Sequence, residues 1–311
     1  MGEKRESHHP RHPGAAGSGV AKFQPNQKAN PVIQTLKKGG INLAPVEGAD
    51  LNKKTIVDAL WIDLMDSSDE EHEFVEKALN VSIPSKEEML EIEESSRLFK
   101  ARGALFMSCW LLCYDCPIPK NASVTFIVTK THFLSIRHTD HHAFRVFTPA
   151  LKRKHPRHMH DVGEVFAELM DAITGHIAYT LRLVEEDLND LSVEIFSEQK
   201  GQLAKAKPVG LKKVVKRLGK RNSLVSNLRE SSVSLSTITP FFACNAEEWI
   251  TPDTSSRLST LKRDIKSLDE YNVQLSTEIA FLLDSTVGLI NFEQNQMMKW
   301  LGAAALVVAF V

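Results

Sequence analysis

In the first half of the chain, apolar residues come in short runs separated by polar positions that mark turns and helix starts. Residues 55–64 (TIVDALWIDL) read as a strand with Trp61 and Ile62 inside it. Ser67 or Ser68 then suits a helix N-cap. Glu70 and Glu71 fall in the first turn, and Phe74, Val75, Ala78 and Leu79 recur at helical spacing. Pro84 and Ser85 open a second helix in the same manner, to about Glu94. Residues 98–99 with 104–113, then 124–128 and 133–137, are β-branched or aromatic runs broken by Pro117, Pro119 and Asn121, which predicts strands.

After Pro156 the period lengthens. Ile177, Leu181, Val184, Leu188, Leu191 and Ile195 repeat at helical spacing through a stretch without proline. Pro208 and Gly210 break that helix. A second runs from Leu211 to about Thr239, where Pro240 is expected to stop it, and Pro252 with Asp253 starts a third. The third carries the stripe Leu258, Leu261, Ile265, Leu268, Leu275, Ile279, Leu282, Leu289 and meets no proline before Val311. About 59 continuous helical residues would span about 90 Å, longer than a domain of this size, so the helix must project.

Residues 300–311 (WLGAAALVVAFV) hold no polar side chain after Lys299. A bilayer span needs about 20 apolar residues, so this segment reaches partway across, with Lys299 and Trp300 suited to the cytoplasmic interface. A buried core helix is the plainer reading of the segment alone; the length of the helix before it favours membrane entry.

The remaining composition is that of an ordinary globular protein: 311 residues, 25% charged, net charge −1. Of the four cysteines, Cys109, Cys113 and Cys116 crowd one apolar segment and Cys244 stands apart, which is no disulfide framework. The start of the chain, rich in His, Pro and Gly, is expected to be a disordered tail without a secretory signal. Four regions follow: a tail over 1–40, an αβα domain over 41–160, two long helices over 161–252, and a stalk helix over 253–311.

The segment LLDSTVGLINFEQNQMMKWLGAAALVV resembles the last stalk helix and first membrane helix of CorA-type divalent-cation channels. TIVDALWIDLMDSSDEEHEFVEKALNVSIPSKEEMLEIEESSRLF resembles that family's N-terminal strand–helix–helix opening, and VTFIVTKTHFLSIRH its central hairpin. LRLVEEDLNDLSVEIF and LRESSVSLSTITPFF sit where its middle helices lie, so the likeness runs in order over about residues 50–308. The resemblance implies an α+β fold and a homopentamer in the cytoplasmic membrane, most of each chain on the cytoplasmic side. It implies a pore that passes Mg²⁺, and Co²⁺ or Ni²⁺, closed by cytoplasmic Mg²⁺ bound between subunits. The family's Gly-Met-Asn triplet and second membrane helix would follow Val311, so the chain is expected to stop inside the first membrane helix.

By resemblance Asn295, Met298 and Leu301 match pore-lining positions, and Gly302 and Ala305 continue their face. Hydrated Mg²⁺ can pass amide oxygens, and rings of Met and Leu can gate by dewetting. Spacing alone reads the same residues as a coiled-coil stripe with Asn295 setting register. Asp284 matches a carboxylate near the membrane and Asp264 lies near the regulatory-metal level; oxygen donors from neighbouring chains suit a hard cation, while a solvated helix face is the bland alternative.

Residues 66–94 hold eleven acidic side chains against two lysines, and residues 185–198 hold six acids and no base, which biases the local potential toward cations. Residues 205–221 hold eight Lys/Arg and no acid. Without interleaved aromatics no nucleic-acid partner is expected, and a solvated basic face or contact with an acidic helix fits better. Cys113-x-x-Cys116 is half a zinc pattern with no second half, and His138, His141, His142, His155, His158 and His160 cluster without a recognised ligand spacing. No phosphate loop, GxSxG or HExxH motif occurs, so enzyme chemistry has no support. The rival class is a soluble coiled-coil scaffold or adaptor.

Overall fold

The computed structural model describes residues 32–37, 40–46, 53–90, 94–113, 119–153, 161–197 and 210–309. Its centre is a seven-stranded mixed sheet. The strands are β1 (Val32–Lys37), β2 (Gly40–Val46), β3 (Ala59–Met65), β4 (Leu98–Ala101), β5 (Ala104–Cys113), β6 (Lys120–Val128) and β7 (Phe133–Arg137), in the spatial order β2-β1-β3-β7-β6-β5-β4. Only β3 and β7 run parallel, with Trp61 opposite Phe133 and Met65 opposite Arg137. The remaining pairs are antiparallel.

Side chains alternate across the sheet, and each face has its own cover. Ile62, Leu64, Phe106, Ile127, Leu134 and Ile136 pack under α1 (Lys53–Val57) and α2 (Asp69–Leu79). On the other face Trp61, Met107, Phe126 and Phe133 meet α4 (His142–Arg153), α5 (Val162–Ser197) and α6 (Leu211–Asn245). Phe166 of α5 is the hub there, its ring 6.3 Å from Phe126, 5.9 Å from Phe133 and 4.0 Å from Phe242 of α6. The fold is therefore α+β, an αβα sandwich carrying long helices, as its sequence predicts.

Ser68 is the α2 N-cap in a reciprocal capping box with Glu71. The second capping signal is also real, because the Ser85 N–H donates to the Glu88 carboxylate at 2.7 Å and the Glu88 N–H to the Ser85 hydroxyl at 3.3 Å. It starts only a 3₁₀ turn, Glu88–Leu90, and a short helix α3 (Glu94–Arg97) follows, where a longer helix was expected. Residues 55–64 divide likewise: α1 takes the first part and β3 the rest. β1 lies inside the stretch read as tail, and α4 is a helix that the sequence pattern does not predict. Pro240 stands within α6, which continues to Asn245. A proline forfeits one helix bond at a cost of about 3 kcal/mol, and full burial of Phe242 and Ala246 beyond it offsets that loss.

Thr251 caps α7 (Pro252–Ala309), its hydroxyl accepting from Thr254 N–H at 3.2 Å. Gly163 lets the start of α5 approach this corner closely, since a Cβ there would collide with the Ile250 side chain. Arg257 of α7 then pairs with Glu168, at 2.9 Å, and Asp171 of α5.

Among the described residues one ion pair is fully inside. Arg137 of β7 donates to both oxygens of Asp63 on β3, at 2.7 Å through one terminal nitrogen, and both groups are at most 4% exposed. Ser135 donates to Asp63 at 2.6 Å and Trp61 Nε1 to Ser135 at 3.1 Å, while Asp140 binds Arg137 and, at 2.9 Å, Arg145 of α4. The network joins the parallel strand pair to α4. Arg137→Met leaves a buried carboxylate without its cation and should cost about 3–5 kcal/mol in urea unfolding. The double variant Asp63→Leu/Arg137→Met should recover more than half of that loss, because no uncompensated charge remains.

Candidate functional site

α7 is 58 residues long, about 87 Å. Leu258, Leu261, Ile265, Asn272, Leu275, Ile279, Leu282 and Thr286 are buried, with Leu268 half-buried in the same row. The intervals alternate three and four, which keeps one seam against α5 and α6. Burial then stops: Leu289 and Ile290 are half-covered, and every residue from Asn291 to Leu306 is exposed. Met298 is 70% and Trp300 76% exposed. Among the described residues this is the one helix long and apolar enough to cross a membrane.

Turn arithmetic places the sequence-derived positions around this rod at about 100° per residue. Asp284 follows Leu275, and Met298 follows Leu289, by about two and a half turns, so both face away from the seam. Asn295, Met298, Leu301, Gly302 and Ala305 share an arc of about 120° centred on Met298. Asp264 differs. It stands between Leu261 and Ile265, on the flank of the seam, about 30 Å along the axis from Asp284. Sequence reasoning passed over Asn291, which the heptad count puts in one row with Asp284 and Met298. Both aspartates are exposed, and among the described residues no group of three His, Cys, Asp or Glu is disposed to hold a metal ion.

The acidic stretch of α5 and the basic start of α6 meet each other. Arg217 donates to Asp187 at 2.7 Å and Glu194 at 3.0 Å, and Arg221 to Asp187 at 2.6 Å. The Asp187 carboxyl is held below its usual range: its partial burial works the other way, and the hydrogen bonds and charges of the two arginines outweigh it. Lys205 and Lys207 lie outside the described residues.

Among the described residues the histidines form no ligand set. His155, His158 and His160, with Cys116, lie outside the described residues. His138 is half-buried, 4.0 Å from Asp66. His141 is buried and donates through Nδ1 to the Leu112 carbonyl at 3.2 Å, and the His142 ring lies 4.5 Å from that of His176 on α5. Burial pulls the pKa of both His141 and His176 down to about 4. The Cys113 thiol donates to the Asp140 carbonyl at 3.5 Å, and burial pushes the Cys109 thiol pKa up, so Cys109 offers no ready thiolate.

A profile of the family described as CorA-like Mg²⁺ transporter protein matches residues 58–309. The magnesium transport protein CorA of Mannheimia succiniciproducens is 25% identical over 274 residues, covering 86% of this chain and 83% of that protein. That of Sodalis glossinidius is 24% identical over 264 residues, covering 81% and 77%. The soluble domain of CorA from Methanocaldococcus jannaschii superposes with a TM-score of 0.67 at 14% identity, over 83% of this chain and 97% of that one. The complete CorA magnesium transporter of the same organism gives 0.67 at 17% identity, over 87% and 80%.

The buried imidazoles set a pH response. Their folded pKa lies below the unfolded value of 6.5, so the unfolded chain takes the proton first. Their contribution to stability should be level above pH 6.5, fall as pH drops toward about 4, and flatten below that. His176→Gln should remove part of this slope in thermal melts taken across pH 7 to 4.5, leaving the pH 7 to 8 region level.

Proposed function

The chain belongs to the CorA-like Mg²⁺ transporter family, and from that we propose that it moves Mg²⁺ across the cytoplasmic membrane as a homopentameric channel, with Co²⁺ and Ni²⁺ as further cargo. Five copies of α7 surround one pore, and most of each chain stays on the cytoplasmic side. The observation that carries this reading is the division of α7 into two faces. Its seam is used up within the chain, and the opposite face, which bears Asp284, Asn291, Asn295 and Met298, is left open along the projecting end.

Each position then has a physical role. Asp284 rings concentrate cations at the cytoplasmic mouth. Asn295 presents amide oxygens to Mg²⁺ that keeps its water shell, because this ion dehydrates reluctantly. Met298 and Leu301 close an apolar constriction that empties of water at rest, and the small Gly302 and Ala305 leave width beyond it. Asp264, on the flank of the seam, reaches toward a neighbouring copy and shares a regulatory Mg²⁺ with its oxygens. Such an ion favours the closed assembly by mass action. Nothing in this scheme breaks or forms a covalent bond, in keeping with a family of transporters rather than enzymes.

Reconstituted in liposomes holding a Mg²⁺-sensitive dye, the protein should admit Mg²⁺. Asn295→Leu should cut the rate about tenfold or more, and Met298→Ala should raise the resting leak. Flux no greater than in protein-free liposomes would refute the channel reading. Separately, millimolar Mg²⁺ should slow proteolysis of the assembled protein, and Asp264→Ala should weaken that protection; an unchanged digestion pattern would refute the regulatory site.

A further inference from the structure

The cations opening α6 divide into two faces. Arg217 and Arg221 turn to α5 and its acids. Lys212, Lys213, Lys216 and Lys220 occupy an adjoining arc of about 100°, away from buried Leu211, Val214 and Leu218. All four lysines are exposed, and among the described residues no acidic side chain forms an ion pair with them. Lys212, Lys216 and Lys220 follow one another at i, i+4, a spacing that sets like charges side by side and destabilises a helix left to itself. An external array of negative charge would relieve that repulsion.

Topology says which array is near. α6 ends at Asn245, a few residues from the start of α7 at Pro252, so its first turn lies at the opposite end, where α7 emerges. Cover on α7 ends at Ile290, which sets the level of the first turn of α6. From Ile290 to Trp300 is about 15 Å of helix. If Trp300 marks the hydrocarbon boundary, the headgroup layer takes up about 5–8 Å of that distance. The first turn of α6 is then about one Debye length from the lipid phosphates, within reach of flexible lysine side chains.

We propose that Lys212, Lys213 and Lys216 dock on the anionic headgroups of the leaflet that α7 enters, with Lys220, farther from the surface, contributing least. The contact rests on the membrane reading above. It would steady the first turns of α6 beside the emerging helix, with the α5 acids bound to the arginine face and the lipid to the lysine face.

The full chain placed in nanodiscs of phosphatidylcholine alone, or with phosphatidylglycerol added, tests this by lysine acetylation and mass spectrometry. Lys212 and Lys213 should react about threefold more slowly in the anionic discs, Lys216 less so and Lys220 least, and high salt should abolish the difference. Lys262, near the far end of α7, serves as the reference and should not change. Equal reactivity of the stripe in both discs would overturn the proposal. So would protection in both that ignores lipid and salt, which would assign the lysines to the acidic face of a neighbouring copy. A chain that never enters the discs would instead refute the membrane reading, so the two failures are distinguishable.

Discussion

The seam of α7 against α5 and α6 is the constraint from which the rest follows. A helix of 58 residues has no means of holding one rotational setting by itself. Here Leu261, Ile265, Leu275, Ile279 and Leu282 are each no more than 2% exposed. Each such burial stabilises by about 1.5–3 kcal/mol relative to exposure. Rotating the helix by a third of a turn would bring several of these residues into water together, so its azimuth is determined. The face left over is determined with it. Asp284 and Met298 face outward because Leu275 and Leu289 face inward, and the projecting end inherits that setting through continuous backbone.

Polar residues on the seam sharpen the setting. Asn272 is fully buried and donates to the Leu268 carbonyl at 3.0 Å and to Ser232 of α6 at 3.4 Å. A slip of one turn would carry this amide away from Ser232 into apolar neighbours, which is costly for a buried polar group. The Asp63–Arg137 network does comparable work in the sheet. It joins β3 to β7, the only parallel neighbours, where no hairpin fixes the register. Through Asp140 and Arg145 it then ties that pair to α4.

Charge is distributed by partner rather than by local count. The acid-rich end of α5 and the base-rich start of α6 each read as a one-signed stretch. In three dimensions Asp187 and Glu194 take Arg217 and Arg221, and the lysines remain on the outer face. Guanidinium forks suit two carboxylates on a neighbouring helix, whereas lysine ammoniums are hydrated point charges that stay at the surface. The two residue types within one basic run therefore have different environments.

Periodicity alone determined a good deal of this protein. β5 and β7 fall where the apolar runs begin and end, and the period-3.5 stripe of the last helix is the buried seam. Even the arc shared by Asn295 and Met298, opposite the seam, can be counted from residue numbers, because a helix has a fixed twist. Tertiary structure decided what local signals leave degenerate. Residues 55–57 and 59–64 both read as strand, yet Ile56 packs from a helix turn under the sheet while Ile62 packs from within it. Pro240 is tolerated because Phe166 of α5 packs on Phe242 in the turn that follows it, and α4 is held in place because Phe144 and Phe147 meet Trp61 and the inner sheet face. The pairings Asp63–Arg137, Asp187–Arg217 and His142–His176 join residues far apart in the chain. Their energies depend on burial and distance, and those quantities exist only once the chain has folded.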